Sequence, residues 1–310
     1  MDTICTFQSN DPALEALWTH GMETFLRVDP SHMAYLAQDA ASFPVYVKLC
    51  LILTAEITLV EEMLSSMASY LANQMACGDR EAVLPSYAYP EALLAYAEYV
   101  AEGERIRPFY DAASSLVKQA EEIDAHTPLL DAHRIGAKLH LQKVAYLCNL
   151  PYERAVLGAE IGAFHTANYD AKQGVYTPFP LNYLTAHYGF VSDDGEDTVR
   201  EYLMEHSFEV EKVDRTYLYG ALCHLEAYDA LLSAVLEAGT PQEYSAPSHL
   251  AGFLALITML CGVDVPMLAK GIRCMQVSLP EHLAFRMILA SPDGPIYYDF
   301  GELLFDEFSI

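Results

Sequence analysis

The sequence is short of positive charge. It contains 17 lysines and arginines against 43 aspartates and glutamates, which gives a formal net charge of −26. A surface this negative repels phosphate backbones and anionic lipid headgroups, so neither nucleic acid nor a membrane surface is an expected partner. It attracts a basic protein and speeds the encounter. Acidity that only keeps the protein soluble is the open alternative.

Paired cysteines and long apolar runs are also missing. The seven cysteines are scattered, without a CxxC pair, mostly inside apolar stretches such as KLCLIL, which favours a reducing compartment. The most apolar window, residues 45–60, is interrupted by Lys48 and Glu56 and is shorter than the ~20 apolar residues of a membrane span. The first residues lack the basic start and apolar run of a signal peptide. We therefore expect a cytoplasmic protein.

Catalytic signatures are absent as well. The chain has no GxSxG elbow, P-loop, GxGxxG or HExxH pattern. The segment DAHTPLLDAH and the helix after it bring several metal-ligand types close together, but without the closed spacings of a zinc site: Asp124, His126, Asp131, His133 and His140. We expect no catalytic residues, no metal and no cofactor. A Cys–His pair assembled from distant positions stays open.

Apolar residues recur at helical spacing through most of the chain, which predicts an all-α fold. The expected architecture is an irregular antiparallel helical array with a repeat-like character. Residues 44–77 predict one long helix or two joined by a slight kink, and residues 213–239 predict one helix. The C-terminal DG and GP pairs fit a short β-hairpin or a last helix. Helices are also predicted to start at Pro90, Pro108, Pro128 and Pro151, and over 248–262 and 265–275.

The segment YDAKQGVYTPFP, residues 169–180, has no sustained periodicity and contains glycine and two prolines. It is predicted to connect an N-terminal helical bundle, residues 1–168, to a C-terminal helical region, residues 181–310, packed on it. One continuous domain is the alternative.

The stretch VSDDGEDTVREYL contains the DDxxD spacing with which isoprenoid-processing enzymes hold magnesium. Gly195 lies inside the motif, and a second Asn/Asp…Ser/Thr…Glu metal motif is missing. Glycine is costly inside a helix, whereas acids are stabilised at a helix start, so we interpret the motif as the beginning of a helix. An exposed acidic tip that binds a basic partner is a further reading. Its candidate residues are Asp193, Asp194, Glu196 and Asp197.

Two other segments have an unusual charge pattern. The helix predicted over 128–150 carries Arg134, Lys138 and Lys143, which is typical of a cationic helix bridging acidic neighbours. The C-terminal YYDFGELLFDEF mixes aromatics with acids, the composition of an interface for a positively charged protein. A terminal element that packs its aromatics on the core is the alternative. The candidate interface residues there are Tyr298, Asp299, Glu302, Asp306 and Glu307.

The size, the alanine-rich helices such as EALLAYAEYVAEGE, the stretch PLNYLTAHYGFVSDDGED and the aromatic-acidic end together resemble the helical immunity proteins of bacterial polymorphic and contact-delivered toxin systems, of the class called immunity protein forty-nine. The resemblance implies a non-catalytic inhibitor of one cognate basic toxin, for which a nuclease is a candidate. A helical-repeat scaffold or peptide sensor is the alternative, followed by a helical enzyme with a DDxxD metal site. The oligomeric state is not indicated.

Overall fold

The computed structural model describes residues 5–9, 12–54, 56–100, 102–150, 154–211, 214–237, 285–289 and 296–300. Helices dominate this part of the chain, and the predicted all-α array is confirmed. They are α1 (Pro12–Arg27), α2 (Met33–Leu36), α3 (Ser42–Leu53), α4 (Ile57–Ala76), α5 (Val83–Val100), α6 (Gly103–Ile123), α7 (Pro128–Leu147), α8 (Arg154–Asn168), α9 (Pro180–Tyr188), α10 (Glu196–His206), α11 (Arg215–His224) and α12 (Tyr228–Glu237). Short 3-10 turns lie at Arg80–Ala82, Asp193–Gly195 and Ser207–Glu209.

Short strands accompany the helices in the described residues: β1 (Cys5–Ser9), β2 (Tyr169–Asp170), β3 (Val175–Tyr176), β4 (Phe285–Leu289) and β5 (Ile296–Phe300). β4 and β5 pair antiparallel, with Phe285 opposite Phe300, so the predicted hairpin near the C-terminus is confirmed. β1 pairs antiparallel with the other edge of β4, with Cys5 opposite Leu289. β1 was not predicted, because the sequence CTFQS has a single β-branched residue.

Two helices lie at the centre of the fold because nearly all of their residues are apolar, with Lys48 in α3 and Glu91 in α5 among the charged exceptions. α3 buries every residue except Lys48, and α5 is fully buried from residue 86 to residue 97. A helix that is apolar all round is stable only inside a core. α5 packs against α3, α6 and α7, while α9 packs against α7 and α11. The middles of these helices therefore meet in the interior.

The helix starts predicted at Pro90 and Pro108 are wrong, whereas Pro128 does open α7. α5 begins at Val83, and Pro90 removes an N–H that would donate to the carbonyl of Ser86. Packing offsets this loss, because all of the surrounding residues are buried. Pro108 lies on the exposed side of α6, where water can hydrogen-bond to the freed carbonyl.

Two segments predicted as long helices are each divided. The first forms two helices, α3 and α4, but non-helical residues at Thr54 and Glu56 separate them instead of the predicted slight kink. The Thr54 hydroxyl donates to the Cys50 carbonyl at 2.7 Å where α3 ends. The single helix predicted over 213–239 is wrong. α11 and α12 are separated at Glu226, whose φ is +54°, between buried Leu225 and Ala227. The Ala227 N–H donates to the Leu222 carbonyl at 2.9 Å, the pattern with which a helix ends at a left-handed residue.

The predicted connecting segment, 169–180, forms the β2–β3 hairpin, in which Tyr169 lies opposite Tyr176. Beyond the hairpin, α9 returns to pack on α7. The division into 1–168 and 181–310 stays a prediction. The helices predicted over 248–262 and 265–275 and the helix start predicted at Pro151 lie outside the described residues.

Candidate functional site

The four carboxylates predicted to bind a partner lie together on one turn of the surface. Asp193 and Asp194 belong to a 3-10 turn, and Glu196 and Asp197 begin α10. All four are exposed. They lie at the N-terminal end of α10, where the helix dipole favours negative charge. The helix-start interpretation of the DDxxD spacing is therefore confirmed.

Packing beneath this turn holds its backbone in place. Gly195 is buried, and a side chain at this position would collide with the Tyr169 hydroxyl. The Ser192 N–H donates to the hydroxyl of buried Tyr176 at 2.8 Å. The carboxylates are thus presented on a fixed support rather than on a loose loop.

The last carboxylate of the DDxxD motif, Asp197, forms an ion pair at the surface. Asp197 pairs with Arg200 one turn along α10, at 3.3 Å, and its side chain is 90% exposed. Within the described ranges, no group of three or more His, Cys, Asp or Glu side chains is arranged to hold a metal ion.

Negative charge continues along α10 and into the turn after it. Residues 193–211 contain eight carboxylates and a single arginine, and all eight carboxylates are exposed. Val199 and Leu203 are buried and set the inner side of α10. We call the outer surface the acidic face, formed by Asp193, Asp194, Glu196, Asp197, Glu201, Glu205, Glu209 and Glu211.

The C-terminal candidates lie elsewhere in the fold. Tyr298 and Asp299 are in β5, opposite Met287 and Arg286 of β4. Asp299 therefore shares a cross-strand position with a base. The other three candidates, Glu302, Asp306 and Glu307, lie outside the described residues. Their role in binding stays a prediction.

α7 is the cationic helix that the sequence predicts, and Arg134 and Lys138 bridge acids on both sides, whereas Lys143 is exposed. Arg134 lies 3.6 Å from Glu121 of α6 and 2.5 Å from Glu160 of α8. Lys138 pairs with the same two acids, at 2.6 Å and 3.0 Å. Burial raises the pKa of Glu160, but the two bases outweigh it and hold the pKa below its ordinary value. Asp131 also pairs with Arg134, at 3.2 Å. The predicted internal role of Arg134 and Lys138 is confirmed.

A second group of charges, which was not predicted, lies at the centre of the fold. Lys48 Nζ of α3 is 2.5 Å from Glu91 Oε1 of α5, and His187 Nε2 of α9 is 3.2 Å from Glu91 Oε2. Burial by itself raises the pKa of Glu91. Lys48 and His187 outweigh it and hold that pKa well below its ordinary value. Glu91 is therefore an ionised carboxylate inside the core.

Further polar rings pack around this pair. His133 Nδ1 lies 2.7 Å from the Tyr188 hydroxyl, and the rings of His133 and His187 both contact Tyr217, with centroid distances of 4.9 and 5.1 Å. Burial lowers the pKa of His133 and of His140 to about 3, so both are neutral at pH 7. We call Lys48, Glu91, His133, His140, His187, Tyr188 and Tyr217 the buried polar cluster.

Packing contacts surround some atoms of the buried polar cluster that lack a hydrogen bond. Among the described residues, the buried Nδ1 atoms of His140 and His187 have no hydrogen-bond partner. His187 Nδ1 lies against Gly220 of α11, where an added Cβ would collide with it. Asp124, which shares the DAHTPLLDAH segment with His133, is separate from the cluster and accepts a hydrogen bond from Tyr87 at 2.8 Å. Of the two histidines in that segment, His133 is therefore buried in the cluster, whereas His126 is exposed.

A cavity of about 580 Å³ opens between α2, α4, α5 and the segment that joins α6 to α7. Tyr70 and Leu71 contribute apolar surface to its wall. Its polar and charged side chains are those of Gln38, Gln74, Asp79, Arg80, Glu81 and Asp124. Such a mixture of hydrogen-bonding and apolar groups suits an extended polar ligand better than a purely apolar one.

In the part of the chain that the structure describes, every helix is too short or too polar to cross a bilayer. Comparisons with protein-family models, with curated proteins and with solved structures give no match to this chain. The acidic face and the buried polar cluster therefore have to be interpreted from their own chemistry.

Proposed function

We propose that this protein is an immunity-type inhibitor, which binds a cognate basic bacterial toxin and neutralises it by covering the toxin's active cleft with the acidic face. The observation that carries the proposal is the exposure of all eight carboxylates between residues 193 and 211 beside one arginine. Complementary fields steer association and orient the partners. A toxin that acts on nucleic acid is a fitting partner, because its cleft must attract phosphate.

The placement of the bases supports the same proposal. Arg134 and Lys138 pair with acids between helices, and Lys48 pairs with Glu91 in the core. These cations are therefore engaged with acids of other helices, and Arg200 is the single lysine or arginine within residues 193–211. The excess of acids over bases in the sequence is therefore expressed strongly at the surface.

The genetic test is whether the gene lies beside a toxin gene and whether its loss is lethal only when that toxin is made. The biochemical test measures association with the product of that neighbouring gene. We expect a rate constant approaching ~10⁸ M⁻¹s⁻¹ at low salt, which falls as salt rises. A rate that does not change between low and physiological salt would refute steering by charge.

Charge reversal locates the surface. The triple variant D193K/D194K/D197K should slow association by about tenfold or more, because it converts the N-terminal end of the acidic face to positive charge. The control E62K/E104K/E122K changes the net charge equally at exposed positions on α4 and α6. It should slow association much less. A separate variant, D299K/D306K/E307K, tests the C-terminal candidates, and normal kinetics in both sets would place the interface elsewhere.

A peptide-binding scaffold is a second candidate, favoured by the polar cavity between α2, α4 and α5. Gln38, Gln74 and Arg80 can hydrogen-bond to the backbone of an extended peptide. This function predicts that R80A weakens partner binding while D193K/D194K/D197K has little effect. The inhibitor function predicts the reverse order.

A further inference from the structure

Two large apolar side chains are exposed in the middle of the acidic face. Phe208 is 73% exposed and Met204 is 47% exposed. Residues 197, 201 and 204 follow one another at intervals of four and three and share one side of α10, and Phe208 lies in the 3-10 turn that follows the end of the helix at His206. The buried Val199 and Leu203 belong to the other side of α10. Both apolar side chains are therefore exposed among the carboxylates of the acidic face.

The exposed Phe208 ring has aromatic support behind it. It stacks on His206, with ring centroids 6.4 Å apart and planes inclined by 19°. His206 packs on Tyr202 at 4.3 Å, and Tyr202 contacts Phe179 at 5.6 Å. His206 Nδ1 also donates to the Tyr202 carbonyl at 2.9 Å. A ring that is already held in place loses little conformational entropy when a partner covers it.

Charge decides what can cover this apolar pair. Glu201 and Glu205 lie beside Met204 in the helix, and Glu209 follows Phe208 directly. A second copy of the same face would bring two sets of carboxylates together, which is unfavourable. Anionic lipid and nucleic acid are repelled for the same reason. A protein surface with an apolar residue or pocket flanked by lysine or arginine can cover the Phe208 ring and form ion pairs with the carboxylates.

We infer that Met204 and Phe208 form the apolar anchor of the partner-binding surface, and that they insert into an apolar site ringed by basic side chains on the partner. The inference rests on the proposed function and specifies how that function holds its complex together. Exposed charges at the edge of an interface act mainly on the association rate. A buried aromatic at its centre acts mainly on the dissociation rate.

The test uses the full chain and two synthetic helical peptides of about 18 residues, or five helical turns. Both peptides carry the same number of lysines. One has a leucine stripe along one side, and the other has alanine at those positions. At low salt the leucine peptide should bind about tenfold more tightly than the alanine peptide, as measured by fluorescence anisotropy. The double variant M204A/F208A should remove this preference and leave binding of the alanine peptide unchanged.

The matched control is Y146A, which removes another exposed aromatic, 68% exposed on α7 and away from the acidic face. It should keep the full preference for the leucine peptide. If M204A/F208A keeps the preference too, or if Y146A also removes it, the anchor is wrong. The isolated M204A/F208A protein should unfold at the same urea concentration as the parent. A clear drop would mean that the chain itself covers these side chains, which also overturns the anchor.

The variant E201K/E205K separates the anchor from the proposed function. If it abolishes binding of both peptides while M204A/F208A has no effect, charge recognition stands and the anchor fails. If neither peptide binds the parent protein at low salt, the acidic face does not recognise basic partners, and the proposed function and the anchor both fail.

Discussion

The buried polar cluster and the acidic face are both rich in ionisable groups, yet their groups are arranged in opposite ways. In the cluster, a single carboxylate, Glu91, pairs with Lys48 and His187, and the members of the cluster come from five helices. On the acidic face, eight carboxylates stand beside one arginine and all are exposed. The difference follows from desolvation, because a buried charge needs a partner from its own chain, whereas water can solvate an exposed charge. Of these two regions, the acidic face is the one whose carboxylates are accessible to another protein.

Lowering the pH should have the largest effect on stability, and this effect should come from the buried polar cluster. The pKa of His133 and of His140 is about 3 in the folded protein, below the ordinary value of about 6.5. Between these values the unfolded chain binds protons that the folded chain does not, so stability is complete above pH 6.5 and falls as the pH decreases toward 3. We expect urea unfolding to show a loss of about 2 kcal/mol per histidine between pH 7 and pH 5. The variant H140F should remove roughly half of this pH dependence, and an unchanged slope would contradict the assignment.

Removing the base from the cluster should have the next largest effect. K48M leaves the Glu91 carboxylate buried with His187 alone, and we expect the free energy of unfolding to fall by about 3 kcal/mol. The double variant K48M/E91Q no longer buries a charge and should recover part of that loss. Urea denaturation measures both. A loss in K48M no greater than that of an exposed lysine variant, such as K143M on α7, would mean that water reaches Glu91.

The ion pairs of α7 should have an effect on stability between that of the buried polar cluster and that of the acidic face. The Arg134 side chain is 17% exposed and has three carboxylates within 3.6 Å. R134M should lower the free energy of unfolding by about 1.5 kcal/mol, because Glu121 and Glu160 then share Lys138 alone. R27M provides the matched control. Arg27 is 75% exposed and pairs with Glu23 on α1, so its removal should cost about 0.5 kcal/mol or less. If R134M and R27M lowered the free energy of unfolding equally, the contribution of an ion pair to stability would not depend on its burial.

The acidic face should contribute least to stability. E201K/E205K changes two exposed side chains on the outer side of α10, and we expect the free energy of unfolding to stay within about 0.5 kcal/mol of the parent. The same variant should strongly weaken the binding of a basic partner. Thermal and urea unfolding, measured beside binding, check this contrast. A stability loss as large as that of R134M would assign the acidic face a structural role instead.

Local patterns predicted much of the fold. Apolar residues at helical spacing predicted an all-α array, and the turn residues near the end of the chain predicted the β4–β5 hairpin. Asp193, Asp194, Glu196 and Asp197 were predicted to be a helix start because glycine and acid preferences are local properties. Arg134 and Lys138 were predicted to bridge acids because they form the basic segment of an acidic chain.

The errors arose where long-range packing overrode local preference. Pro90 was predicted to open a helix and instead lies inside α5, because burial on all sides outweighs one lost hydrogen bond. β1 is stabilised by pairing with β4, a strand near the other end of the sequence. The exposure of Phe208 was not predicted, because an apolar residue in a helical pattern is normally taken to be buried and the spacing alone does not show otherwise.

By itself, the sequence determined the helical class, the excess of negative charge and the local positions of helix starts and turns, because these depend on residues close together in the chain. A usable sign of the buried polar cluster was also present, since Lys48 is the single charge in residues 42–53 and Glu91 is the single charge in residues 82–97. Only the tertiary structure decided that these two charges meet His187, and that Glu201, Glu205 and Phe208 face outward together. The reason is physical: the cost of a charge depends on its access to water, and that access is set by how distant helices pack.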